Sequence, residues 1–260
     1  MDYIIINSFL KHIELECFLK IKSKNCDLIH FIVKGCSQQE QLDVLLDYLQ
    51  KYPNKINLQN ELGWTPLMIA CANSNTTSSV ECVELLLKNN ANPNLKNENG
   101  WTALMRASRN SNTYSSLETV KLLLENGADP NLKDEDGKTA LMMASRNSNT
   151  DSNLETVELL LNHSADPNLK NEFGRTALMY ASRNSNTDSN IETVELLLRN
   201  GADPNLKDEY GETALMMTKH SECKNLLLEY GANKGIFRKI FDNLFNHKND
   251  YNYQILKQDK

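Results

Sequence analysis

The chain has 260 residues, 28 basic against 34 acidic side chains, a formal net charge of -6 and 40% hydrophobic residues. That balance argues against a nucleic-acid binder, whose footprint is a strongly basic face. The hydrophobic fraction lies below the ~45–50% of a typical globule and fits an elongated, surface-rich shape better than a thick spherical core.

At the N-terminus, Asp2 stands where a leader would be basic, and the apolar Ile4-Ile5-Ile6 gives way to polar residues at once. Neither a signal peptide nor a membrane span is expected. Leu10, Ile13, Cys17, Phe18 and Ile21 share one helical stripe, which predicts a capping helix within residues 1–25. The six cysteines (Cys17, Cys26, Cys36, Cys71, Cys82, Cys223) are scattered and read as reduced thiols of an intracellular chain. His12, Cys17, Cys26, His30 and Cys36 make up the one cluster of metal-ligating types. In it Cys26 and His30, four apart, could share a helix face. Without C-x-x-C knuckles, the reading as core and surface residues outweighs the metal reading. No metal and no cofactor are expected.

From residue 26 the chain repeats. A degenerate unit over 26–60 aligns Leu28 to Cys36, Leu42 to Leu49 and Asn57-Leu58-Gln59-Asn60. The string G-x-T-[AP]-L-M then begins at Gly63, Gly100, Gly137, Gly174 and Gly211, each 37 residues after the last. The units run 61–97, 98–134, 135–171, 172–208 and 209–233. In the third, Thr139 is expected to cap a short helix that buries Leu141, Met142, Ala144 and Ser145. A polar stretch, Asn147 to Asn153, breaks it. Ser152 and Glu155 then read as an S-x-x-E capping box, repeated at Ser78/Glu81, Ser115/Glu118 and Ser189/Glu192. The second helix is expected to bury Leu154, Val157, Leu160 and Leu161. It should stop cleanly at Gly127 and Gly201, tolerably at Asn90, and with fraying at Ser164. Pro93, Pro130, Pro167 and Pro204 forbid continuation. Neither helix can bury its apolar face alone, so stacked neighbours must supply the core.

These units resemble ankyrin repeats, whose pattern runs D-x-x-G-x-T-P-L-x-x-A, then V-x-x-L-L, then G-A-D-x-N. Thr65-Pro66-Leu67 matches the first part, and Gly201-Ala202-Asp203-Pro204-Asn205 the last. The resemblance implies an all-α solenoid of helix-loop-helix units joined by hairpin-like turns. The chain departs from the pattern in three ways. Its period is four residues longer than the family's ~33, through Thr76–Ser79, Thr113–Ser116, Thr150–Asn153 and Thr187–Asn190. The family's histidine is replaced by Met68, Met105, Met142, Met179 and Met216. The last unit omits the insertion and shortens its first helix. The Asn-, Lys- and Ile-rich composition is similar to that of ankyrin-repeat proteins encoded by giant DNA viruses of amoebae, and amoeba-associated bacteria encode similar ones.

After the repeats, residues 234–260 carry a second stripe, Phe237, Ile240, Phe241, Leu244 and Phe245, and then a polar tail. Covering an open solenoid end outweighs docking to a partner's groove as its reading. No phosphate loop, nucleophile elbow or zinc-protease helix is present, and no catalytic residue is expected. Carboxylates such as Asp134, Glu135 and Asp136 recur at hairpin tips, where solvated turn chemistry accounts for them.

The family resemblance implies binding of a partner protein in a concave groove, and its variable contact positions fall on Trp64, Trp101, Lys138, Arg175 and Glu212 of the hairpins. On the first helices they fall on Ala72-Asn73, Arg109-Asn110, Arg146-Asn147 and Arg183-Asn184. Arg109, Arg146 and Arg183 share one phase and should align as a ladder for an acidic or phosphorylated segment. The alternative, a duplicated and solvated or ion-paired arginine, slightly outweighs it. A non-enzymatic, monomeric scaffold in the (host) cytoplasm is expected, with no nucleic-acid or membrane partner. An adaptor or effector whose terminal helices recruit a second factor, and a structural spacer, are the other readings.

Overall fold

The computed structural model describes residues 28–185 and 191–232. Among these residues are twelve α-helices, one 3-10 turn at Pro53–Lys55 and no strand. The helices follow in pairs: α1 (Leu28–Lys34) and α2 (Gln39–Lys51), α3 (Pro66–Asn73) and α4 (Val80–Lys88), α5 (Ala103–Arg109) and α6 (Leu117–Glu125). Then come α7 (Ala140–Arg146) and α8 (Leu154–Asn162), α9 (Ala177–Arg183) and α10 (Ile191–Arg199), α11 (Ala214–Met217) and α12 (Ser221–Glu229). Odd-numbered helices stack in one row and even-numbered helices in another, so the all-α solenoid follows from the repeat as expected. The stripes at residues 7–22 and 237–245 lie outside the described residues. No helix among the described residues is long and apolar enough to cross a membrane.

The core is written once per repeat. Leu67, Leu104, Leu141 and Leu178 of the first helices are each 1% exposed, and the methionine after each is as deeply buried. Val120, Leu123, Val157, Leu160, Val194 and Leu197 of the second helices are fully buried. The first helices start on threonine: Thr139 Oγ1 accepts the Met142 N–H at 3.3 Å, and Thr102 and Thr176 do the same for Met105 and Met179. Met105 reciprocates, its Sδ accepting the Thr102 N–H at 3.4 Å. Met105 thus adds a cap contact as well as apolar filling.

The second helices start one residue later than the S-x-x-E pattern predicts. Ser79, Ser116 and Asn153 are the caps, and Asn153 Oδ1 accepts the Thr156 N–H at 2.9 Å. Ser78, Ser115 and Ser152 are buried instead. Ser115 Oγ lies 3.3 Å from Ser74 Oγ, and Ser152 Oγ lies 3.2 Å from Ser111 Oγ, each partner in the preceding repeat. The hydroxyls of Thr119 and Thr156 reach the same Ser74 and Ser111 at 2.8 and 2.7 Å. Buried hydroxyls favour a partner: Ser115 and Ser152 find theirs across the repeat boundary and their outward neighbours cap, whereas Ser78 Oγ makes no such cross-repeat bond. Ser189 lies outside the described residues.

One further expectation is corrected. Leu154 and Leu161 are only half-buried, while Thr156, which carries the hydroxyl contact, is fully buried. The stretch Asn147 to Asn153 separates the two helices as expected, and the loops also bond to one another. The Asn112 N–H donates to Asp151 O at 2.9 Å and its amide to Thr150 O at 3.1 Å, and Asn75 does likewise one repeat earlier. The insertion is therefore a stacked layer of its own.

Ser164 does not fray its helix. It takes φ +66°, and the Ala165 N–H reaches Leu160 O at 3.0 Å, as Ala128 reaches Leu123 O beyond Gly127. The neighbouring repeat holds it there: the Asn131 amide donates to Ser164 O at 3.0 Å, and Asn131 Oδ1 accepts the Asp166 N–H at 2.8 Å. Asn94 and Asn168 make the same pair of bonds, while Lys96, Lys133 and Lys170 each donate to the carbonyl of the residue 37 positions on. The left-handed strain stays at Ser164 because these bonds over-determine it. Ser164→Gly should raise stability by about 1 kcal/mol, read as a higher urea midpoint. An unchanged midpoint would show that the serine is unstrained.

Candidate functional site

Each hairpin is organised by one Asn or Asp. Asn97 Oδ1 accepts N–H groups from Asn99 and Trp101, at 3.1 and 2.8 Å, and Asp134 Oδ1 accepts those of Asp136 and Lys138, at 3.1 and 2.7 Å. Asn60, Asn171 and Asp208 do the same for Trp64, Arg175 and Glu212. This bond fixes the backbone that carries each of these side chains. Successive hairpins join through the backbone, Glu135 N–H to Asn99 O at 3.2 Å and Glu172 N–H to Asp136 O at 3.0 Å.

The hairpin carboxylates are not all solvated, contrary to expectation. Asp134 is 8% exposed and Asp208 6%. Burial pushes the Asp134 carboxyl up, against the Lys138 N–H and charge, which favour ionisation. A folded value above the unfolded one means the contribution of Asp134 is fully present below the unfolded value and is lost as pH rises through the folded one. Asparagine already occupies this position at 60, 97 and 171. Asp134→Asn should therefore gain melting temperature relative to the parent on going from pH 3.5 to pH 7 (conditions chosen around the usual Asp value of about 3.9). A constant difference would place Asp134 in water.

The three ladder arginines are exposed at the ends of α5, α7 and α9, and none has an ion pair among the described residues. The Arg109 guanidinium lies 5.5 Å from the Trp101 ring centroid. The flanking cations are engaged. Lys138 Nζ is 2.6 Å from Asp136 Oδ2, while Arg175 Nε donates to Asp208 Oδ2 at 3.3 Å and its guanidinium lies 5.9 Å from the Tyr210 ring. Asn110 is buried, and its carbonyl accepts the Thr113 and Ser115 N–H groups, so it shapes the loop. Asn147 and Asn184 are half-buried, and the Asn184 amide donates to Arg146 O at 3.4 Å.

A cavity of about 150 Å³ lies where Trp101, Arg109, Lys138, Arg146 and Asn147 come together. Met142, Met143, Asp151 and Tyr180 complete its lining. The Asn171 amide donates to the Tyr180 hydroxyl at 3.0 Å and fixes that ring. Trp64 lies outside the cavity, with the Arg106 guanidinium 5.8 Å from its ring. Burial and the Arg109 charge pull the Arg106 guanidinium down. Sequence reasoning missed Arg106, Met143 and Tyr180. All three occupy the varying letter of A-L-M-x-A, so the signal was variation within near-identical units.

Of the cysteine–histidine cluster, His30 and Cys36 lie among the described residues. His30 is buried, and its Nε2 lies 3.0 Å from Leu58 O and 2.9 Å from Trp64 O, tying α1 to the first hairpin. His12, Cys17 and Cys26 lie outside the described residues, and the described residues contain no group of three or more potential ligands placed to hold a metal ion. Cys36, Cys71 and Cys82 are buried free thiols. The Cys36 thiol donates to Cys82 and is thereby pushed up, and Cys82 is lowered. Cys82 occupies the position that Thr119, Thr156 and Thr193 fill in later repeats.

A family model described as ankyrin repeats (3 copies) matches residues 21–134, 113–208 and 150–238. Three ankyrin repeat proteins of Acanthamoeba polyphaga mimivirus are similar to parts of the chain. One is 53% identical over 49 residues, covering 19% of this chain and 9% of its own length. A second is 36% identical over 72 residues, covering 28% and 12%, and a third 37% identical over 71 residues, covering 25% and 11%. The chain thus spans about a tenth of the length of these curated relatives. The crystal structure of an ankyrin repeat domain from Acinetobacter baumannii superposes with a TM-score of 0.67 at 27% identity, over 79% of this chain and 98% of that one.

Proposed function

The chain belongs to the ankyrin-repeat family, and from that premise we propose that it is a non-enzymatic scaffold which binds a partner protein through the concave face of its first helices and hairpins. Ankyrin repeats are in general protein–protein interaction modules, and binding on a preformed surface carries little ordering cost. The partner segment is acidic or phosphorylated. The observation supporting this is that Arg109, Arg146 and Arg183 stand exposed, one per repeat, with no ion pair among the described residues. Guanidinium grips carboxylate or phosphate bidentately, and among the described residues no carboxylate takes that role. Trp101, Lys138, Arg175 and Trp64 border this row, and Asn147 and Asn184 support its helix ends. Because the curated relatives are mimivirus proteins, the proposal places the partner in the host cell and the chain in its cytoplasm.

The test is capture of a partner from Acanthamoeba lysate by the immobilised chain at low and high salt. Changing Arg109, Arg146 and Arg183 together to Glu should abolish salt-sensitive capture while circular dichroism stays unchanged. Undiminished, salt-insensitive capture by the folded variant would place binding elsewhere.

A further inference from the structure

The geometry points to the cavity beside Trp101 and Tyr180 as an anchor subsite for one phosphotyrosine side chain of the partner, an inference that rests on the concave-face reading above. Its volume, about 150 Å³, is that of a cavity able to enclose a benzene ring. Two aromatic side chains line it, together with the buried residues Met142 and Met143. Rings and sulfur both favour an aromatic occupant.

The charge fits a phosphomonoester. Arg109, Lys138 and Arg146 of the lining stand against Asp151 of the lining and Asp136, which pairs with Lys138 from outside it, a net excess of one positive charge carried by the guanidiniums. A phosphomonoester carries about -1.5 to -2 near neutral pH. Because Lys138 already holds Asp136, Arg109 and Arg146 are the two cations of the lining with no ion pair among the described residues. Three phosphate oxygens can accept from both guanidiniums, whereas one carboxylate is matched by one fork. Arg109 is pre-set over Trp101, and Tyr180 is pre-set by Asn171.

Neighbouring steps of the solenoid lack the combination. One repeat earlier, Ala72 stands where Arg109 stands. One repeat later, Lys138 replaces Trp101, and Arg175 is engaged by Asp208 and Tyr210.

The test uses Trp101 fluorescence in a Trp64→Phe background, with N-acetyl phosphotyrosine amide as probe at low salt. Saturable binding is expected, about tenfold or more tighter than that of tyrosine amide, phosphoserine amide or inorganic phosphate. Arg146→Gln, at an exposed site, should weaken it about tenfold or more, and Lys88→Gln, exposed on α4 and outside the cavity, about twofold at most. Equal binding of phosphoserine amide or inorganic phosphate would overturn the subsite, because the ring would not be read. Equal binding of adenosine monophosphate would overturn it in favour of a nucleotide pocket, and indifference to Arg146→Gln would overturn it outright. If the probe fails to bind while the triple Glu variant still loses capture, the subsite falls and the concave-face reading stands. If capture is also unaffected, both fall.

Discussion

Gly100→Ala is expected to cost about 3 kcal/mol, against about 1–2 kcal/mol for Gly127→Ala. Both glycines have positive φ, +75° and +84°, so both variants carry the left-handed penalty of a Cβ. Only Gly100 meets its neighbour. A Cβ there would lie 2.7 Å from Glu135 N and 2.9 Å from Asp134 Cα, backbone that cannot rotate away, whereas nothing lies within 4 Å at Gly127. The Glu135 N–H is also the donor that joins its hairpin to Asn99 O. Overpacking should therefore pry consecutive hairpins apart. Urea unfolding of the two variants checks this: equal losses would show that the hairpin gap relaxes freely.

The second large effect is expected at Thr156. Thr156→Val keeps the shape but removes a hydroxyl that lies 2.7 Å from Ser111 Oγ and 2.6 Å from Asn153 Oδ1. Ser111 and Ser152 stay buried at 5% and 1% exposure, with part of their network gone. Stranding buried polar groups costs about 1–3 kcal/mol, while exchanging all partners for apolar groups can be nearly neutral. The single variant should lose about 2 kcal/mol, and adding Ser111→Ala and Ser152→Ala should restore part of it. Strictly additive losses would show that the three hydroxyls do not act as one network.

Much of this architecture is determined by the sequence alone. A fixed 37-residue phase carries T-[AP]-L-M, V-x-x-L-L and a positive-φ glycine, each enforced by local chemistry: an N-cap, a 3.6-residue stripe, a turn that excludes a Cβ. The position of the ladder arginines follows from the same phase. What the sequence leaves open is set by contacts one repeat away. Ser152 and Asn153 are both competent caps, and the choice falls to Asn153 only because Ser111 of the preceding repeat takes the Ser152 hydroxyl. Ser164 is a poor residue for a left-handed stop, yet Asn131 of the preceding repeat holds it there. Asp134 reads as a solvated turn residue until the preceding hairpin stacks against it, with Gly100 close to its Cα and Asn99 O on the Glu135 N–H. The cavity likewise needs Trp101 from one repeat, Arg146 from the next and Tyr180 from a third. Stacking alone brings these residues together, because each repeat presents its groove-facing side chains at an edge that only its neighbours complete.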